Sequence, residues 1–116
     1  VEPFVPLEFE CIQGLSSNFK IRLKENISPL TINFCYRDNE VKFVQVYISY
    51  SNKEPSAHHN SGTYVNPAQI KLMGTHADPK TGKTSFDKDW LYITVDSQNQ
   101  GLRIKMLAKF KEDANA

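Results

Sequence analysis

The chain alternates apolar and polar residues over short stretches, and this period of two constrains the fold more than any other feature. Two stretches show it best: residues 43–50, with the sequence FVQVYISY, and residues 89–96, with the sequence DWLYITVD. Side chains of a β-strand point alternately to opposite faces, so such alternation indicates a strand with one buried face. No stretch has the period of an amphipathic helix. The sequence therefore predicts an all-β protein.

Eight stretches fit strands, with turn-forming residues between them. They cover residues 7–12, 19–24, 30–36, 43–50, 63–65, 68–73, 90–95 and 102–110. Gly, Pro, Asn and Asp separate many of these stretches, as is usual for the connections of antiparallel sheets. We therefore expect an antiparallel β-sandwich of seven to eight strands, jelly-roll-like, in which the last two strands form a closing pair.

The length of 116 residues is that of one ordinary domain. A chain of this size buries roughly two-thirds of its unfolded surface without needing metals or several disulfides. We expect a single domain over residues 1–116, with residues 1–6 as a linker-like entry and residues 111–116 as a polar tail. Because the opening VEPFVP resembles a linker entering a first strand, we expect the domain to belong to a larger protein or assembly.

Charge and cysteine content exclude several classes of function. Lys and Arg total 14 against 13 Asp and Glu, a net charge of +1, which gives no global field to attract nucleic acid or anionic lipid. No apolar run approaches the length of a membrane span, so we expect no transmembrane segment. Two cysteines are too few for a disulfide framework, and we expect Cys11 and Cys35 to be free thiols, with one disulfide as the alternative. The compartment is left open.

Motifs for catalysis or structural metals lack the required surroundings. Residues 82–84 read GKT, like the end of a phosphate-binding P-loop, but Ala77 stands where that loop needs its first glycine, so a hairpin turn is predicted. His58, His59 and His76 have no spacing that resembles a zinc site. No nucleophile and base are placed together by local pattern. We therefore expect a protein that is not an enzyme, with no catalytic residues.

Four acidic residues raise the alternative of calcium binding. Asp87 and Asp89, with Asp96 and Glu54, would supply oxygen ligands if they met at one end of the sandwich. Lys88 lies between the first two and lowers the local negative charge. Acids beside a strand start are most often turn residues, so no metal site is predicted and calcium remains the lesser alternative.

Aromatic and basic residues share the outward phase of the closing strands. Large aromatic residues and arginine are the groups that anchor protein interfaces, and cations suit an acidic partner. The outward residues of strand 19–24 would extend this face if they joined the same sheet. The predicted binding residues are Trp90, Tyr92, Arg103, Lys105, Lys20, Arg22 and Tyr47.

Other interpretations of the same residues stay open. Outward Lys and Arg also keep antiparallel sheets soluble, which needs no partner. Alternatively, Trp90, Tyr92, Tyr47 and Tyr64 form stacking platforms for a glycan or matrix ligand, because sugar C–H faces pack on exposed rings. A calcium-dependent membrane module of the C2 type would need more loop acids than the chain offers.

Three stretches resemble the bacterial pre-peptidase C-terminal domain and related jelly-roll modules. They are VYISYSNKEPS at residues 46–56, DWLYITV at residues 89–95 and GLRIKMLAKF at residues 101–110. The resemblance covers roughly residues 19–110. The acidic residues that the family carries before its first strand are replaced here by residues 42–45, KFVQ. The resemblance implies a non-catalytic accessory domain that docks its parent protein onto a partner or substrate.

Overall fold

A computed structural model describes residues 4–12, 14–23, 30–36, 44–74, 76–77, 79–80, 84–86, 88–98 and 102–110. These residues form ten strands: β1 (Leu7–Cys11), β2 (Ser17–Arg22), β3 (Leu30–Tyr36), β4 (Val44–Ser49), β5 (Gly62–Val65), β6 (Gln69–Leu72), β7 (His76–Ala77), β8 (Thr84–Ser85), β9 (Trp90–Ser97) and β10 (Leu102–Phe110). Within the described ranges no helix is long and apolar enough to cross a membrane.

Eight of the strands form two antiparallel four-stranded sheets that pack together as a sandwich. The first sheet has the order β1-β10-β3-β6 and the second has the order β2-β9-β4-β5. Along the chain, β1 to β4 alternate between the sheets, β4 and β5 are neighbours, and the alternation then resumes. This order is a jelly-roll topology, in which two Greek keys bring both ends of the chain into the same sheet. The predicted fold class is confirmed.

Apolar residues of the inward phase fill the space between the sheets. In the first sheet, Ile32 and Ile104 have no exposed surface, and in the second sheet Ile21 and Ile93 have none. At one edge Phe9 of β1 and Phe19 of β2 place their rings 4.6 Å apart, which ties the two edge strands together. The alternation read from the sequence therefore predicts which face of each strand is buried.

The predicted closing pair is wrong. β9 pairs with β2 and β4, whereas β10 pairs with β1 and β3 in the opposite sheet. Four residues connect the two strands. A connection of that length can either reverse the chain within one sheet or cross the ~10 Å between two packed sheets. Here the connection crosses between sheets. Alternation alone carries no information on which of these outcomes applies.

Two short paired strands lie on either side of residues 78–83, where the sequence predicts a hairpin turn in place of a P-loop. His76 pairs with Ser85 and Ala77 with Thr84 in an antiparallel two-stranded ribbon, β7 and β8, whose strands are not among the eight predicted from the sequence. The hairpin supports the rejection of a P-loop, because Thr84 begins a strand and not a helix. Gly82 and Lys83 themselves lie outside the described residues.

The predicted interruption at residues 66–67 is also present. Asn66 ends β5 with a positive φ of 47°, a conformation that Asn tolerates better than most residues. Its side-chain oxygen accepts a hydrogen bond of 2.7 Å from the Val44 amide, and its own amide donates to the Val44 carbonyl at 2.8 Å. Asn66 thus ties the end of β5 to the start of β4.

The amino-terminal segment contacts the first sheet. Phe4 donates a backbone hydrogen bond of 2.8 Å to the Ala108 carbonyl, although its side chain and that of Val5 are about half exposed. The linker-like entry predicted for residues 1–6 is therefore attached to β10 at Phe4. Residues 1–3 and the predicted tail, residues 111–116, lie outside the described part of the chain.

Both cysteines are free, as the sequence analysis expects. Cys11 is buried in β1, and Cys35 is exposed on β3 opposite Lys105. Burial raises the pKa of Cys11 from 9.0 to about 11, although a hydrogen bond with Ser17 acts in the other direction and the charge of Asp96 adds to the increase. Cys11 is therefore a neutral core residue at physiological pH.

Truncating the core should be costly. We expect Ile104→Ala to lower the free energy of unfolding by about 2–5 kcal/mol, because it removes buried methyl groups and leaves a cavity. The matched control is Lys105→Ala on the exposed side of the same strand, which should change it by about 0.5 kcal/mol or less. Urea denaturation of the three proteins measures both values. Equal costs for the two variants would contradict the assigned faces of β10.

Alkaline pH should destabilise the fold through Cys11. In the folded protein the pKa of the Cys11 thiol is about 11, above the ordinary 9.0. The stability that the neutral thiol contributes is therefore complete below pH 9 and is lost as pH rises towards 11. In that window the unfolded thiol releases its proton first, which lowers the free energy of unfolding by about 1.4 kcal/mol per pH unit. Urea denaturation between pH 8 and 11 measures the slope. Cys11→Ala should have a shallower slope, and an unchanged slope would contradict the assignment.

Candidate interaction face

The outer side of the β2–β9 pair brings basic and aromatic residues together. Arg22 lies directly opposite Trp90, and Lys20 directly opposite Tyr92, in the antiparallel register of these strands. Both cations are exposed, and both rings are partly exposed. The outward residues of β2 extend the aromatic face of β9 only if the two strands share a sheet, and they do. We call these four residues the basic–aromatic face.

Trp90 is the centre of the basic–aromatic face. The Lys20 ammonium nitrogen lies 4.7 Å from the centroid of the Trp90 ring, and the Arg22 guanidinium carbon lies 5.7 Å from it. Both distances fall within the range in which the negative face of an indole attracts a cation. The ring therefore holds two positive charges close together at the edge of the sheet.

The neighbouring outward residues of the second sheet are closely packed. Thr94 is only 3 % exposed, and its hydroxyl donates a 2.6 Å hydrogen bond to the side-chain oxygen of Asn18 on β2. Tyr47, on β4 opposite Thr94, is 4 % exposed. Tyr47 was predicted as a binding residue, but it offers almost no ring surface. Its hydroxyl donates instead to Gln45 at 2.5 Å.

Arg103 and Lys105 do not belong to the basic–aromatic face, contrary to the sequence analysis. They point outward from β10 in the first sheet, where Arg103 lies opposite Glu10 and Lys105 opposite Glu8 on β1. The error follows from the wrong closing pair. Acidic neighbours offset their charge, since opposite charges at directly paired positions interact across a sheet.

The aromatic residues do not form the predicted glycan platform. Tyr64 is in the inward phase of β5 opposite Val46, and it packs against the core. Tyr47 is buried, as described above. Trp90 has two cations over its ring, so a sugar stacking there would have to displace charged groups. Of the four rings predicted to form the glycan platform, only Tyr92 is left as a candidate.

Two of the four predicted acidic residues, Asp89 and Asp96, lie at opposite ends of β9. Asp89 directly precedes β9 and Asp96 lies near its far end, which at about 3.4 Å per residue separates them by roughly 24 Å. Within the ranges that the structure describes, no group of three or more His, Cys, Asp or Glu residues is placed to hold a metal. Asp87 lies outside those ranges.

Charge on the outer face of the second sheet is distributed unequally. Lys20 and Arg22 lie at the end that carries Trp90, whereas Asp96 lies at the opposite end beside Gln45. The outward charged residues of β2 and β9 are therefore basic at one end and acidic at the other. Sequence analysis placed Asp96 in a turn, because its predicted strand ended at residue 95, and so it missed this asymmetry.

The long connection between β4 and β5 starts at the Trp90 end of the sheet. The Ser49 hydroxyl accepts hydrogen bonds from the amides of Ser51, at 3.2 Å, and Asn52, at 2.9 Å, which fixes the start of the connection. His58 and His59 are exposed on it. The side chain of His76 lies outside the described residues.

Comparisons of the chain with protein-family models, with curated proteins and with solved structures found no match. The resemblance to pre-peptidase C-terminal domains therefore stays a prediction based on the three stretches given above. Any functional conclusion has to come from the geometry of the molecule itself.

The contact between Lys20 and Trp90 should be measurable as an energetic coupling. A double-mutant cycle with Lys20→Ala and Trp90→Ala should give a coupling energy of about 0.5–1 kcal/mol, which is the usual size of a cation–π interaction at an exposed site. A second cycle with Lys105→Ala and Trp90→Ala is the control, because Lys105 lies on the other sheet and should give no coupling. Urea denaturation measures both. Equal couplings in the two cycles would contradict the geometry.

Proposed function

We propose that this domain is a non-catalytic interaction or targeting module that docks onto an acidic protein partner through its basic–aromatic face. The observation that carries the proposal is the position of Lys20 and Arg22 over the Trp90 ring. Aromatic and arginine side chains are enriched where interfaces gain most of their binding energy. An acidic segment would meet two cations and two partly exposed rings at one place.

The contrast with the first sheet supports this choice of face. Arg103 and Lys105 have Glu10 and Glu8 opposite them, whereas the residues opposite Arg22 and Lys20 are aromatic. Among the described strands, β2 is also an edge strand, and none of them lies beyond its cations. In the strand register, the cations of β2 therefore lie opposite aromatic rings, whereas the cations of β10 lie opposite carboxylates.

The single tryptophan of the chain gives a direct test. Titration with a synthetic peptide that alternates Glu and Ser should change the fluorescence of Trp90, and binding should weaken as ionic strength rises, because salt screens exposed charges. Lys20→Glu combined with Arg22→Glu should abolish the change. A peptide that alternates Lys and Ser is the control ligand and should not bind.

The matched control variant is Arg103→Glu combined with Lys105→Glu, which makes the same change of net charge on the other sheet. It should bind the acidic peptide with only a small loss of affinity. Equal losses in the two double variants would contradict the proposal, because the attraction would then depend on net charge alone. No binding of the acidic peptide to the unmodified domain would also contradict it. Thermal unfolding confirms that both variants are folded.

A further inference from the structure

The opposite end of the second sheet contains a small polar cleft. It has a volume of about 260 Å³ and is lined by residues 14–16 of the β1–β2 connection and by Gln45, Asp96, Ser97 and Gln98. Trp90 and Asp96 are six positions apart on β9, or roughly 20 Å. The cleft is therefore separate from the basic–aromatic face, and the inference drawn from it goes beyond the proposed function.

Asp96 gives the cleft a strong hydrogen-bond acceptor. Among the described residues, its Oδ1 is buried and has no hydrogen-bond partner, whereas the residue as a whole is partly exposed and lines the cleft. A carboxylate that lacks donors on one side is poorly solvated, which is costly for a charged group. The part of Asp96 that is exposed faces the cleft, where the carboxylate can accept hydrogen bonds from water or from a ligand.

Gln45 places hydrogen-bond donors next to that acceptor. It lies directly opposite Asp96 in the β4–β9 register. Its side-chain oxygen already accepts the 2.5 Å hydrogen bond from the Tyr47 hydroxyl. Burial and the nearby charge of Asp96 raise the pKa of Tyr47, so the hydroxyl keeps its proton and remains the donor. The amide nitrogen of Gln45 is thus the part that is available for donating to a ligand.

The mixture of donors and acceptors selects among ligand chemistries. An anion would be repelled by Asp96, and an ammonium group would meet the donors of Gln45 as well as the carboxylate. A hydroxyl group donates and accepts at the same time, so neighbouring hydroxyls on one ring satisfy both residues. We infer that the cleft binds a neutral polyhydroxylated ligand, namely a single sugar residue or the end of a glycan.

The size and border of the cleft agree with one sugar ring. At about 260 Å³, the cleft has room for several waters and therefore for a ligand of small-molecule size. Leu15 lines it and is 62 % exposed, which provides an apolar surface for the C–H groups of a sugar.

The test is a titration of the whole domain with methyl glycosides of glucose, galactose, mannose and N-acetylglucosamine, followed by backbone amide shifts in NMR. We expect at least one glycoside to bind in the millimolar range and to shift the amides of residues 14–16, 45 and 96–98. Asp96→Asn should weaken that binding by about tenfold or more, because a hydrogen bond to a charged group is stronger than a neutral one. The spectrum of the variant also reports whether it is folded.

Asp89→Asn is the control variant, since it removes an exposed acid at the other end of β9 and should leave glycoside binding unchanged. Methylammonium chloride is the control ligand. The inference is overturned if none of the four glycosides shifts the cleft amides at 100 mM, if methylammonium binds there in their place, or if glycoside shifts centre on Trp90. It is also overturned if Asp96→Asn and Asp89→Asn have the same effect.

Discussion

The register of β9 is the constraint on which both candidate surfaces depend. This strand is hydrogen-bonded on both sides, to β2 and β4, and Leu91, Ile93 and Val95 are completely buried on its inner face. A slip of one residue would turn these three side chains outward, so the register is strongly fixed. Trp90 and Asp96 are therefore held on the same outer face at a constant separation.

The sequence predicts the strands well and their neighbours poorly. The bounds predicted for β3 and β10 agree with the structure, because uninterrupted alternation marks both strands along their whole length. Alternation reports which face of a strand is buried, and that property is the same whichever strand lies beside it. The crossing between β9 and β10 depends on how four connecting residues bridge the two sheets, and their sequence is compatible with a reversal as well.

The same distinction explains which site residues were predicted correctly. Lys20 and Arg22 were assigned to the outward phase of β2, and the structure places them beside Trp90. Tyr47 was also assigned to an outward phase, but β4 is an inner strand with neighbours on both sides, and the residue is covered. Outward phase predicts exposure at the edge of a sheet better than at its centre. The cleft at Asp96 had no signal in the sequence, because it depends on contacts between distant segments.

Edge strands carry charged residues for a simpler reason, since charge prevents pairing with other chains. Charge of either sign serves that purpose, and the outward residues of β1, an edge strand of the first sheet, include Glu8 and Glu10. Protection of the edge therefore explains why β2 carries charged residues. It does not explain the sign of their charge or their position. What distinguishes β2 is that an indole ring holds both of its cations. Cations that are already ordered lose less side-chain entropy when a partner binds, which is the property that an interaction surface needs.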